Sequence, residues 1–286
     1  MAHIGRRSRG PGAPGARTVR VGVFVLGALT FLATPAFAQD PAASTQTPVV
    51  APSNPDFMLG RPHAAIGVRG NWLMVSAGSD IYDFVSQHLT IEKSDFNSAL
   101  FATDVNIAIH PQLDIVGGFE AGKKEIPSEY RAFSETISGS SRTLPIRQLT
   151  ELQQLHFTGS VKFGVVPRGR QISRLAWIPR TFVPYVGGGG GLTRYVFRQS
   201  GDFVDFATHN PATGVFRIFT DTFRSSGWAP SAHAFGGTDI LVFKRLYLSL
   251  EGRYTWVQAE LDQDFIDFEP MDLGGFRFGA GINIVF

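Results

Sequence analysis

Gly279-Ala280-Gly281-Ile282-Asn283-Ile284-Val285-Phe286 alternates without a break. Read back from Phe286, the even positions Ile284, Ile282, Ala280, Phe278 and Phe276 are apolar. The odd positions Val285, Asn283, Gly281, Gly279 and Arg277 are polar or small, apart from the valine. Successive side chains of a strand point to opposite faces. The segment is therefore a strand with one apolar and one polar face. An apolar exterior and a polar interior is the alternation of a strand in a membrane-spanning β-barrel.

The same period recurs in stretches of about ten residues bounded by turn-like sequence. Eight strands are predicted, near 64–76, 99–109, 113–122, 152–166, 182–198, 231–243, 246–257 and 272–286. The apolar parity holds Ile66, Val68, Trp72 and Met74 in the first and Phe101, Val105, Ile107 and Ile109 in the second. It holds Ile115 and Phe119 in the third, and Phe157, Val161, Phe163 and Val165 in the fourth. In the fifth we assign Val183, Tyr185, Tyr195 and Phe197 outward and Arg194 and Arg198 inward. The sixth sets Ala234, Ile240 and Val242 against His233 and Asp239, and the seventh Leu248, Leu250, Tyr254 and Trp256 against Ser249, Glu251 and Arg253.

A soluble barrel also alternates, but turns its apolar face inward. The connections argue for the membrane. The second and third strands meet at His110-Pro111-Gln112, and the sixth and seventh near Lys244-Arg245. Other connections are long, about 77–98, 123–151, 199–230 and 258–271. Short periplasmic turns and long extracellular loops are the outer-membrane pattern. Parity requires an odd number of residues between outward positions, so three or five rather than two are expected around Lys244-Arg245. The expected class is all-β, an eight-stranded antiparallel up-and-down transmembrane β-barrel over 63–286.

Residues 1–38 read as a signal peptide. Arg6, Arg7, Arg9, Arg17 and Arg20 precede the apolar run from Val21 to Thr34, and Ala36-Phe37-Ala38 is a small-x-small site, so cleavage is expected after Ala38. A 14-residue run is short of the roughly 20 needed for a spanning helix. The whole chain has 26 basic and 24 acidic residues; removing the five leader arginines leaves 21 against 24, a net charge of −3. The basic excess thus belongs to the leader, and nucleic-acid binding loses its support. The absence of cysteine excludes disulfides, thiolate metal sites and a lipoprotein anchor. Residues 39–62, with Pro41, Pro48, Pro52, Pro55 and Pro62 among Ser, Thr and Gln, read as a disordered periplasmic lead-in.

Gly281, Ile284 and the aromatic Phe286 resemble the C-terminal insertion signal of bacterial outer-membrane proteins. Phe182-Val183-Pro184-Tyr185-Val186-Gly187 with its run to Gly191, and Leu246-Tyr247-Leu248-Ser249-Leu250-Glu251-Gly252-Arg253-Tyr254, resemble strands of the small outer-membrane β-barrel domain family that groups OmpA, OmpX and OmpW. The resemblance covers roughly 60–286 and implies localisation in the bacterial cell outer membrane. It implies outer-membrane lipids and, through the C-terminal strand, the barrel-assembly machinery as partners. The peptidoglycan-binding domain of OmpA is expected to be absent. A monomer is expected, and no ligand is identified.

The polar parity gives the interior Arg69, Lys162, Arg194, Arg198, Arg253 and Arg277 against Asp104, Asp114, Glu120, Asp239 and Glu251. An eight-stranded barrel is just wide enough for side chains to fill, and unpaired charges there cost several kcal/mol each. A paired network that plugs the lumen is expected. His156 and Ser160 share a face but lie roughly 13 Å apart at about 3.3 Å per residue, too far for a base and its nucleophile. The lipid A deacylase pattern His-x-Ser reads His156-Phe157-Thr158 here. No catalytic, metal or cofactor residue is assigned.

The loops are where specific function is expected. A short helix over 80–89 should present Ile81, Phe84, Val85 and His88 on one face, with Ser79 or Asp80 as N-cap. Residues 199–230 read as a hairpin standing above the membrane, whose Phe203, Phe206, Phe216, Phe219 and Phe223 pack together or form an adhesive surface. Residues 258–271, with Glu260, Asp262, Asp264, Asp267 and Glu269, read as a solvated acidic tip lacking EF-hand spacing. The basic turn 167–180 reads as a loop with Trp177 at the membrane interface, or as a periplasmic docking surface. The expected role is a structural or surface-interaction barrel. The alternatives are a narrow channel for small or apolar solutes, or a lipid-modifying enzyme.

Overall fold

The computed structural model describes residues 58–136, 143–174, 176–210 and 215–286. The expected signal peptide and most of the expected lead-in lie outside them. Among the described residues there are twelve strands: β1 (Met58–Leu59), β2 (Ala64–Val75), β3 (Ser98–His110), β4 (Leu113–Thr136), β5 (Thr143–Gly164), β6 (Gly169–Ser173), β7 (Ala176–Pro179), β8 (Phe182–Asn210), β9 (Val215–Phe243), β10 (Leu246–Ala259), β11 (Met271–Asp272) and β12 (Gly275–Val285). Eight of them pair antiparallel in the ring β2-β3-β4-β5-β8-β9-β10-β12, and β12 closes back on β2 from Gly275 opposite Val75 to Val285 opposite Ala65. The ring has no free edge within the barrel, the condition for strands to span lipid. Its outer surface carries Ile66, Trp72, Val105, Ile107, Phe157, Val161, Phe182, Leu192, Trp256, Phe278 and Ile282, each about half exposed. This is an antiparallel transmembrane β-barrel with an apolar exterior.

The alternation read from the sequence holds in every barrel strand but β8. There Val183, Tyr185, Tyr195 and Phe197 face inward and are buried, while Phe182, Val186, Leu192 and Arg194 face outward. The five glycines from Gly187 to Gly191 erase the parity signal. The tyrosines take the interior because their hydroxyls find partners there: Tyr185 with Ser249 and Glu251, Tyr195 with Ser225.

Both short turns obey the odd-number rule through a bulge. Phe243 pairs with Leu246 across a two-residue turn, and Leu241 with Tyr247, leaving Val242 as the extra residue. Val242 and Phe243 consequently both point outward. The expectation of a three- or five-residue turn is corrected to two residues plus one bulged residue. Ile109 plays the same part at Pro111-Gln112.

Two expected loops are strand instead. β4 and β5 stay paired up to Thr136 opposite Thr143, and β8 and β9 up to Asn210 opposite Val215. The predicted hairpin over 199–230 is therefore a continuation of the barrel wall, and 123–151 forms a second. Phe203 packs on Phe219 and Phe223 at ring distances of 5.9 and 4.7 Å. The side chain of Phe206 lies outside the described set.

Helix α1 (Asp80–His88) forms where predicted, with Ser79 as N-cap. The Ser79 hydroxyl accepts from the Asp272 N–H rather than capping the helix, and so ties α1 to β11. The buried face is Ile81, Tyr82 and Val85. Phe84, expected inward, meets Phe268 edge-on at the surface, because Tyr82 takes the inner position against Phe96.

Candidate functional site

The barrel interior is built in three layers, and the middle one holds most of the titratable groups that the sequence singles out. At the end bearing the long loops lies an apolar layer. Lumen-facing Leu152, Tyr195, Phe197, Val257 and Ala259 meet Ile81, Tyr82 and Val85 of α1, Phe96 of the same loop, and Phe265, Met271 and Leu273 of the last loop. The acidic segment 258–271 is thus a lid. Asp262 and Asp264 accept the N–H groups of Ser226 and Arg224 along the edge of β9, while Phe265 is buried beneath them. The five acids Glu260, Asp262, Asp264, Asp267 and Glu269 are exposed, as expected, but the segment is fixed over the barrel end by Phe265 rather than standing free as a tip. No group of three or more His, Asp or Glu suited to a metal occurs among the described residues.

At the short-turn end, β6 and β7 form a hairpin, and β7 also pairs with β1. Trp177, placed at the membrane interface by the sequence reading, is buried at 4% exposure against Met58, Ala65, Tyr247 and Val285. The hairpin tucks the indole under the barrel because Gly169 leaves no side chain over its ring. Met58 and Leu59, at the near end of the expected disordered lead-in, are ordered by the pairing with β7.

Between the two layers lies the charge network. Arg69 bridges Asp104 at 3.0 Å and Glu251 at 2.6 Å, and Arg253 reaches the other oxygen of Glu251 at 3.0 Å. Lys162 pairs with Asp239 at 2.7 Å and lies 3.6 Å from the centre of the Tyr185 ring. Arg277 pairs with Glu120 at 3.5 Å. Amides supplement these pairs: Asn106 donates to Asp104, Asn71 to Glu120 and Asn283 to Asp239. Asp114, 2% exposed, pairs with Arg168 of the basic turn.

Nine of the ten candidate lumen residues face the interior. Arg194 does not: it lies on the outer surface, its guanidinium 5.7 Å from the ring centre of Trp228. Arg198 also leaves the interior set and reaches Glu151 at 3.8 Å. Both errors follow from the inverted parity of β8. Sequence reasoning missed Arg168, which no periodicity marks because it sits in a turn. With these changes the interior ion pairs join five cations (Arg69, Lys162, Arg168, Arg253, Arg277) to five carboxylates (Asp104, Asp114, Glu120, Asp239, Glu251).

Two interior cavities measure about 30 and 20 Å³ and share Asn106, Lys162 and Asn283 as lining. Each has room for about one water molecule. His156 and Ser160, too far apart in sequence to meet, find other partners. His156 Nδ1 lies 2.8 Å from Thr193 Oγ1, and His156 Nε2 accepts from Arg277 at 2.9 Å. Ser160 Oγ lies 2.7 Å from His233 Nε2. No described acid orients His233, whose Nδ1 has no partner, and both residues are buried. The contact is a lumen hydrogen bond without the third member of a nucleophilic assembly.

No protein-family model matches the chain, and no curated protein matches it. Among solved structures it is similar to Neisserial surface protein A (11% identity, TM-score 0.41, covering 78% of this chain and 97% of that one). It is also similar to the outer membrane protein OprG of Pseudomonas aeruginosa (11%, 0.43, 80% and 99%). A third is Ail, the attachment invasion locus protein of Yersinia pestis, solved with the heparin analogue sucrose octasulfate (14%, 0.34, 79% and 100%). These are small outer-membrane β-barrel proteins. At such identities and scores no residue correspondence is drawn, and the fold rests on the strand register above.

Proposed function

We propose that this chain is a bacterial outer-membrane barrel with a plugged, charge-paired lumen, acting as a structural or surface-interaction protein. One observation carries the reading: five interior cations meet five interior carboxylates between two apolar covers. The two interior cavities beside Asn106, Lys162 and Asn283, about 30 and 20 Å³, hold no solute larger than water. The membrane placement is supported by the apolar outer surface of a closed ring. In this reading residues 1–38 direct export and are removed after Ala38. The C-terminal strand, with Ile284 and Phe286 on the lipid-facing side, engages the assembly machinery. Interaction then falls to the two hairpins that rise above the barrel from β4–β5 and β8–β9.

The test is single-channel recording of refolded residues 39–286 in planar bilayers, with heat-modifiable gel mobility confirming the barrel. Silence across voltage and salt is the expected result. Reproducible steps whose size changes in Arg253→Ala or Glu251→Ala would overturn the plug and favour a narrow channel.

A further inference from the structure

Charge is divided between the two ends of the barrel. Outside the lumen, every described acid lies in the connections and strand extensions of the loop end, between 80 and 95, 125 and 151, 202 and 221, or 260 and 272. The short-turn end carries cations: Arg170, Arg174, Arg180, Lys244 and Arg245 are exposed there, and Arg61 is partly exposed. Asp114 and Asp239, at that end of the lumen, are buried and already taken by Arg168 and Lys162. None of the six surface cations forms an ion pair among the described residues.

The same end holds an open strand edge. The small sheet runs β1-β7-β6, so β6 is paired on one side only. Arg180 donates its N–H to the Arg168 carbonyl at 2.7 Å. Hydrogen-bonded pairs of an antiparallel ladder recur at every second residue, so Arg170, opposite Ile178, also turns its backbone toward β7. Gly169 and Gln171 therefore turn N–H and C=O outward, and no described backbone group pairs with them there. The edge is backed by a fixed hairpin, since Trp177 is buried beneath the bore and β7 is paired with β1. Ile178 follows Trp177 in β7 and so faces the other way. Arg170, opposite Ile178, shares that face, which looks away from the barrel, and Arg174 follows the strand.

We propose that the β6 edge docks an extended, acidic segment of a periplasmic protein, which adds a further strand to the small sheet. Backbone pairing to an exposed edge supplies affinity in such docking, and alternate side chains supply the choice of partner. Charged side chains blunt an edge against indiscriminate pairing, and here they are of one sign. A second copy of this chain would bring Arg170 and Arg174 against their own kind. Alternating carboxylates would instead meet them in charge-assisted contacts, so attraction and repulsion select the same partner. The proposal rests on the membrane orientation that places the short turns in the periplasm, and is independent of the plugged lumen.

The experiment titrates refolded residues 39–286, in zwitterionic micelles, into a fluorescein-labelled peptide of alternating Glu and Val, followed by anisotropy. Saturable binding is expected, and the peptide with Lys in place of Glu should bind at least tenfold more weakly. A peptide of equal charge with Pro and Gly in place of Val is unsuited to a strand and should also lose at least tenfold. Gln171→Pro deletes one outward N–H and should cost at least tenfold, whereas Gln171→Ala, which keeps it, should bind as the unaltered chain does. Arg170→Gln with Arg174→Gln should weaken binding severalfold and flatten its salt dependence. Heat-modifiable mobility, scored for each variant, separates a failed barrel from an empty edge. Equal binding by Gln171→Pro and Gln171→Ala, or by the Val and the Pro-Gly peptides, would overturn the proposal and reduce the site to a surface that holds any polyanion.

Discussion

Arg168 is the residue on which the interior charge balance turns. It reaches up from the connection after β5 to neutralise Asp114, which is almost fully enclosed. Removing one member of a buried pair leaves the other desolvated and uncompensated, at about 3–5 kcal/mol. Arg168→Ala should therefore lower stability by about that amount in urea unfolding from micelles, followed by tryptophan fluorescence. The double change Arg168→Met with Asp114→Leu should recover most of the loss, because an apolar pair of similar volume removes the desolvation cost as well. Tyr82 makes a second residue-scale case at the opposite end. Burial pushes its hydroxyl above the ordinary tyrosine range, and the hydroxyl donates to the Asp272 carbonyl at 2.9 Å. A raised folded value means that the stability from the protonated hydroxyl is complete below the ordinary tyrosine pKa of about 10 and is lost as pH climbs beyond it. Amide exchange in α1 should rise with pH above that point more steeply than in Tyr82→Phe, once intrinsic exchange is divided out. Identical pH dependence in the two would remove Tyr82 from the account. Of these two residues the sequence marks neither: Arg168 stands outside any period, and the helical spacing picks Phe84 rather than Tyr82 for the inner face.

Among the elements, β8 shows where alternation stops being informative. In β2, β3, β10 and β12 most outward positions are apolar or small, and the charged and amide side chains fall on the inward ones, so the parity is legible. In β8 the centre has no side chains, and its flanks carry tyrosines that suit either face. The bulges at Ile109 and Val242 were legible only as a parity requirement, since an extra residue leaves no mark of its own in the sequence. The hairpin of β8 and β9 above the membrane was legible, whereas the upward extensions of β4 and β5 escaped notice for a different reason. Above the membrane both faces meet water or the lid, so the strict alternation that lipid imposes is lost. The glycine run still makes a sharp distinction between its two faces. Gly189→Ala drives a methyl into the backbone of β5, whereas Gly159→Ala places one in open space. The first should abolish the heat-modifiable band on refolding, and the second should leave it intact and slightly raise stability, by roughly 0.5–1 kcal/mol from lower chain entropy. Comparable refolding yields for both would mean that the wall between β5 and β8 has more slack than the register shows.

For the whole molecule the question is which layer closes the lumen. The covers come from loops and from the β6–β7 hairpin, whereas the middle layer comes from eight strands locked in one register. Its salt bridges link residues far apart in sequence: Arg69 with Glu251, Lys162 with Asp239, and Arg277 with Glu120. Opening a path there requires separating several pairs at once, each held in a narrow, low-dielectric space where attraction is strong and isolated charges are costly. A cover, by contrast, is one apolar cluster: Trp177 against Met58, Ala65, Tyr247 and Val285 at one end. Replacing residues 169–179 by a tight turn should expose that end and cost stability. Ionic current through the refolded variant should nevertheless stay at baseline in planar bilayers, because the middle layer still fills the bore. Neutralising Arg253 and Glu251 together in that shortened barrel should admit ions only when the loop-end cluster around Phe265 and α1 is opened as well, since that cover still closes the other end. If the hairpin replacement alone conducts, the closure belongs to Trp177 and its cover, and the central ion pairs then serve the stability of the barrel rather than its impermeability.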